Sequence, residues 1–138
     1  MDRQEVLQYV SESPMFYLAT VEGGAPRVRA MMLALADEGG LVFCTGAPKA
    51  VCRQLQADGQ VEMCFHNVDK QTQLRVRGCV EGDDDLEVKK QIVEKFTFLK
   101  PVVEQHGWDV LAVWRLPGGE AGLWTEERAF GPTEFTAF

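Results

Sequence analysis

Arg27, Arg29, Thr45 and Lys49 are the side chains in this sequence best placed to hold an anion. They lie in a stretch, Ala25 to Leu55, that reads as strand, turn, strand and helix. Side chains alternate along a strand, so Arg27 and Arg29 share a face with Met31 and Leu33, and Arg29 points into a largely apolar surface. A half-buried guanidinium is costly unless something anionic meets it. The helix is predicted to start near Pro48, which suits the first helical position, and its free N–H groups and positive dipole end favour an anion. Lys49 falls in that first turn, where a cation is disfavoured by roughly 0.3–1 kcal/mol. Thr45 offers a hydroxyl at the strand end leading into the helix. One bound phosphate accounts for all of these. Taken singly, Lys49 and Arg27 read as solvated surface residues; Arg29 is harder to dismiss.

Other chemistries find less support. Cys44, Cys52, Cys64 and Cys79 lie far apart among apolar neighbours, no CxxC pair occurs, and His66 and His106 are well separated, so the pattern argues against a metal site and for reduced thiols in a cytoplasmic protein. Cys44 reads as a small core residue, since no histidine lies near it in sequence. The net charge of −7 argues against a general nucleic-acid surface. Four of the eight arginines nevertheless fall in two short strands, which suggests a local anion site. No apolar window is long enough to span a membrane, and the polar start, Met-Asp-Arg-Gln-Glu, has no signal-peptide core. The Asp83-Asp84-Asp85 run reads as a helix cap.

The elements that must position these residues follow from periodicity and turn signals. Residues 2–12 read as a helix with Val6, Leu7 and Val10 as its apolar stripe, stopped by Pro14. Strands are predicted at 15–21, 26–35, 41–45, 61–66, 73–81, 110–116 and 120–125, with turns at Glu22-Gly23-Gly24, Asp37 to Gly40, Asn67 to Lys70 and Pro117 to Gly119. Helices are predicted at about 48–57 and 84–98, the second closed by Lys100-Pro101. The tail from Ala129 has no clear period. Seven short strands without a repeating strand–helix–strand unit predict a single domain over residues 1–138: a small, mainly antiparallel barrel with helices at its ends. Leu74, Val76, Val80, Phe43 and Phe65 look apolar beyond one core's needs, which predicts an apolar interface between two copies.

The run Ala19-Thr20-Val21, Pro26-Arg27-Val28-Arg29, Leu41 to Thr45, Lys49, Gln54-Leu55, Val61-Glu62, Leu74 to Gly78 and Val80-Glu81 resembles the pyridoxamine 5′-phosphate oxidase-like family over about residues 5–125. The resemblance implies a mainly β fold, a six- to seven-stranded antiparallel split barrel with Greek-key-like connections. It also implies a homodimer with FMN at the subunit interface. The cofactor contacts it implies are Arg27, Arg29, Ala30, Met31, Met32, Cys44, Thr45, Lys49, Gln54, Gln73 and Trp124. Arg29 matches the arginine on the phosphate, Ala30 to Leu33 the strand along the ring, Cys44 and Thr45 the strand end at the phosphate and ribityl chain. Gln73 matches a glutamine offered by the partner, and Trp124 a tryptophan near the flavin. The chain departs from the oxidase pattern in two places. Pro48-Lys49-Ala50 replaces a Ser-Arg-Lys run, and Thr125-Glu126-Glu127-Arg128 stands where the substrate-binding basic and histidine segment would be.

Two classes of function remain open on the sequence. One is an FMN-dependent oxidoreductase acting on a small molecule; a flavin carries the redox chemistry itself, which fits the absence of a recognisable acid–base or nucleophile set. The other is a non-catalytic flavin carrier or sensor, or a binder of another cofactor, F420 or haem. Haem would need an axial ligand, for which the chain offers His66 and His106.

Overall fold

The computed structural model describes residues 1–138. Helix α1, Arg3–Glu12, is opened by a reciprocal cap: the Asp2 carboxylate accepts from the Glu5 N–H while Glu5 accepts from the Asp2 N–H, and the helix buries Val6 and Val10. Strands β1 (Met15–Glu22) and β2 (Ala25–Met32) form a hairpin whose two-residue loop is Gly23-Gly24. Both glycines have positive φ, +57° and +82°, the geometry that matches the twist of a tight hairpin.

The strand predicted over 26–35 is broken. β2 stops at Met32, and a separate strand β3, Leu35–Asp37, pairs with β4, Gly40–Gly46, in a different sheet. The corner between them, Leu33-Ala34, is buried, and its amides donate to the Pro14 and Val42 carbonyls, both at 2.8 Å. A strand that changes sheets in this way splits the barrel. Helix α2 covers Ala50–Ala57, and β5 (Gln60–Asn67), β6 (Thr72–Cys79) and the two-residue β7 (Glu81–Gly82) follow. Helix α3 spans Leu86–Lys95, a single 3₁₀ turn covers Thr97–Leu99, and α4 spans Lys100–His106. The sequence reading ended its helix at Pro101; Pro101 instead opens a new one, because a first-turn proline loses no intrahelical hydrogen bond. Strands β8 (Leu111–Leu116), β9 (Glu120–Trp124) and β10 (Thr136–Ala137) complete the chain.

The result is a two-sheet antiparallel split barrel. One sheet has the order β10-β9-β6-β5-β1-β2, the other β3-β4-β8-β7. Their inner faces close over Phe16, Leu18, Phe43, Met63, Phe65 and Leu74, all fully buried, with the Phe16 ring 5.8 Å from Phe43 and 5.0 Å from Phe65. The apolar surplus assigned to Leu74, Val76, Val80, Phe43 and Phe65 is not a surplus: all five sit in this core. The surplus lies on the opposite, outer face of β1 and β2, where Met15, Tyr17, Val21, Val28 and Met32 are exposed, Val28 by 70%. Alternation could not reveal this, since the two faces of that hairpin are both rich in apolar residues.

The β3–β4 turn depends on Gly40, whose φ is +116° and whose position leaves no room for a Cβ against the Leu116 carbonyl of β8. Gly40→Ala is expected to cost at least ~2 kcal/mol, through strain and a displaced β4–β8 pair. Urea denaturation of the two proteins measures it.

Candidate functional site

Arg29 leaves β2 on the inner face and reaches across β1 to the flank of α2. Its guanidinium donates to the Leu18 carbonyl at 3.1 Å, to the Thr20 hydroxyl at 2.8 Å and to the Gln54 side-chain oxygen at 2.5 Å. The Thr20 hydroxyl donates in turn to the same Gln54 oxygen at 2.6 Å, and the Gln54 amide donates to Glu22 at 3.2 Å. Thr20 and Gln54 are buried polar residues whose partners all lie in this cluster. Burial pushes the Arg29 pKa down and Glu22 opposes the shift, but arginine has ample margin to stay charged. The cost of half-burying this cation is therefore met in part by neutral acceptors of the chain itself, which charge counting along a strand could not show. Arg27, exposed, pairs with Glu22 at 3.5 Å.

Beyond Arg29, the ends of β2 and β4, the start of α2 and the α3–α4 crossover enclose a cavity of about 620 Å³. Ala30, Met31 and Met32 form one wall, Cys44, Thr45, Gly46 and Lys49 a second, and Phe96, Phe98, Leu99 and Val102 a third. Lys49 is the N-cap of α2, one residue before the first turn in which the sequence placed it, and no side chain caps the helix. The first helical N–H groups thus lack a side-chain acceptor. The Lys49 ammonium makes no ion pair, and the Thr45 hydroxyl, although Thr45 is only 9% exposed, makes no hydrogen bond within the chain. Burial raises the Cys44 thiol above its ordinary pKa, so the cavity's sulfur is neutral.

Of the residues singled out from sequence, Ala30, Met31, Met32, Cys44, Thr45 and Lys49 meet at this cavity, whereas Arg27, Arg29 and Gln54 form the adjoining cluster on α2. Gln73 and Trp124 stand elsewhere. They face each other across β6 and β9, in the outer row that continues through His66 of β5. Met32 and its neighbour Met15 occupy the same end of the sheet on β2 and β1. Three strand spacings separate β2 from β6, about 14 Å. Neither Gln73 nor Trp124 lines the cavity of its own chain. The sequence reading missed Phe96, Phe98, Leu99 and Val102; its only signal for them was an apolar run ending at a proline. It also missed the tail, which folds back over β9. Phe135 lies on the guanidinium groups of Arg75 and Arg77, 5.1 and 3.9 Å from its centroid, and Gly122 has no side chain where Thr133, Glu134 and Phe135 cross it.

The chain is a split barrel with an uncapped helix and an unpaired lysine at the mouth of an apolar cavity. The sequence profile of the pyridoxamine 5′-phosphate oxidase family matches residues 3–109, and the chain belongs to that family. A pyridoxine/pyridoxamine 5′-phosphate oxidase of Mesorhizobium japonicum is 41% identical over 71 residues, which is 51% of this chain and 35% of that protein. The match thus spans about a third of the length of the curated relative. Among solved structures, a NimC/NimA family protein of Clostridium acetobutylicum superposes with a TM-score of 0.78 at 29% identity, covering 99% of this chain and 92% of that one. The heme storage protein HutZ of Vibrio cholerae shares the fold, with a TM-score of 0.66 at 19% identity over 88% of this chain and 92% of its own. No helix here is long and apolar enough to cross a membrane.

Arg29→Ala is expected to destabilise the ligand-free protein by about 1–3 kcal/mol, because it leaves the Leu18 carbonyl and the Thr20–Gln54 pair without their charged donor. Guanidinium denaturation in the absence of flavin isolates this structural effect.

Proposed function

We propose that this protein binds FMN and acts as a flavin-dependent oxidoreductase on a small organic molecule. The observation that carries the reading is the pairing of an unengaged cation, Lys49, with the unpaired hydroxyl of Thr45 at the uncapped end of α2, both on the cavity wall. These groups suit a phosphate, and the apolar Ala30–Met32 wall beside them suits a flat ring. Arg29 stands on the flank of the same helix and would add its charge on the phosphate side, exchanging one of its neutral acceptors for the anion. Ala30 to Met32 would lie along the ring. Bound FMN supplies the electron-transfer chemistry; the chain's part is to hold it, exclude water and admit a substrate.

The outer-row placement of Gln73 and Trp124 supports a homodimer. A two-fold axis through the outer face, which carries the exposed Met15, Tyr17, Val28 and Met32, would bring the partner's β6–β9 row towards the cavity and bury that apolar surface. Light scattering at micromolar concentration is expected to give twice the chain mass, and a monomer mass overturns the dimer. Four free thiols support a reducing, cytoplasmic setting. A haem reading lacks a comparable support, since neither His66 nor His106 lines the cavity.

FMN and riboflavin differ only in the phosphate, so they separate its contacts from those of the ring. Lys49→Ala is expected to weaken FMN by about tenfold and Arg29→Ala by roughly ten- to a hundredfold, with riboflavin nearly indifferent to both. Flavin fluorescence quenching measures each. Equal losses for the two ligands would place these residues on the ring or the fold and remove the phosphate assignment. Anaerobic bleaching of the bound flavin by NADH or NADPH, followed by reoxidation with quinones, nitro compounds or pyridoxal derivatives, separates an enzyme from a carrier.

A further inference from the structure

Phe98 is 72% exposed, on the 3₁₀ turn between α3 and α4, and it overhangs the cavity. Its exposure is not that of a loose loop. Lys95 donates to the Ala34 carbonyl at 2.7 Å, and buried Lys89 ties α3 to Asp84 at 2.9 Å and to the Trp108 carbonyl at 3.2 Å. Phe96 and Leu99, on either side of the turn, pack inward against buried Ala34, Val42, Ile92 and Val113. The turn is thus anchored around Phe98, which is held out with only the edge of its ring near that of Phe96, 6.2 Å between centroids.

The charge of the cavity is equally specific. Lys49 is its one cation, no carboxylate lines it, and the Cys44 thiol is kept neutral by burial. Once a cofactor phosphate engages Lys49 and its ring lies along Ala30 to Met32, the remaining wall offers Phe96, Phe98, Leu99 and Val102. An anionic substrate would be desolvated there with no counter-charge. A flat uncharged ring would instead find the aromatic face of Phe98 beside apolar Leu99 and Val102.

We infer that the α3–α4 crossover is the substrate-selecting wall of this site, that Phe98 is its specificity-determining residue, and that the substrate class is an uncharged, flat aromatic molecule and not a phosphorylated one. The inference rests on the flavin reading in giving Lys49 and the Ala30–Met32 wall to the cofactor.

Naphthalene-2-sulfonamide and naphthalene-2-sulfonate differ chiefly in charge and serve as probes. With FMN-loaded protein, titration calorimetry is expected to show the neutral probe binding at least about tenfold more tightly. Phe98→Ala should weaken the neutral probe by about tenfold, and Phe98→Lys should bring the sulfonate to parity or better, while FMN affinity stays within about twofold in both variants. Equal binding of the two probes by the wild type overturns the inference, as does a Phe98→Ala protein that binds the neutral probe unchanged. A Phe98→Ala protein that loses its oligomeric mass marks the residue as an interface contact and overturns it too. If FMN itself does not bind, the flavin reading fails separately. Flavin-free Lys49→Ala protein then decides the matter: retained preference for the sulfonamide upholds the wall, and its loss rejects it.

Discussion

The Arg29 guanidinium is the point at which barrel, helix and cavity are joined. One planar cation takes a carbonyl of β1, a hydroxyl of β1 and an amide oxygen of α2, so it fixes the helix to the hairpin by directional contacts as well as by packing. Packing alone, through Val51, Cys52 and Leu55, would hold α2 against the sheets but would tolerate sliding. The fork geometry of arginine does not. Because Lys49 and the first free N–H groups are rigidly carried at the end of that helix, their position at the cavity mouth depends on a contact one turn further along. An arginine that serves the fold and the proposed anion site together explains why the surrounding acceptors are mostly neutral. A carboxylate closing directly on Arg29 would compete with a phosphate, and Glu22 is kept one residue removed, behind Gln54.

The second constraint is the change of sheet at Leu33-Ala34. It turns the inner-face direction of β2 into the wall of a cavity that opens beside the barrel and not inside it. The barrel interior is filled by aromatic and branched side chains, so any ligand must sit outside, between the sheets' ends and the helical crossover. This is also what leaves the outer face of β1 and β2 bare. The same residues that would contact a ring on one side, Ala30 and Met32, belong to the exposed apolar face on the other, and the site and the surface are continuous.

Much of the fold could be read directly from the chain. The Gly23-Gly24 hairpin, the first helix with its Val6 and Val10 stripe, and the seven longer strands follow from local rules that the structure obeys. What could not be read was set by tertiary choices. The β2–β3 break has no glycine or proline to announce it and exists because the strand must serve two sheets. Pro101 can stop a helix or start one, and only the packing of Val103 decides. At the site, Lys49 could be singled out because a cation at a helix start breaks a local expectation, and Thr45 because its hydroxyl ends the strand before that helix, whereas the Ala30–Met32 strand could be singled out only through the family resemblance. Phe98 could not, since an exposed phenylalanine in a sequence looks like any core phenylalanine. Nor does the sequence place Arg29 against neutral acceptors, which come from residues near in space and distant in the chain.

The two edges of the six-stranded sheet are closed by different means. At one edge the tail adds only a two-residue strand, β10, held by Thr136 and Ala137 on β9. At the other, β2 is long, paired on one side only, and carries Pro26, which lacks an N–H to offer a further strand, followed by charged Arg27 and Arg29. The edge beside the most apolar exposed surface of the molecule is therefore a poor template for another strand. Copies can meet through side chains on that face without their backbones zipping into an open-ended ribbon. The arrangement disfavours fibrous aggregation wherever copies of this chain meet through that face.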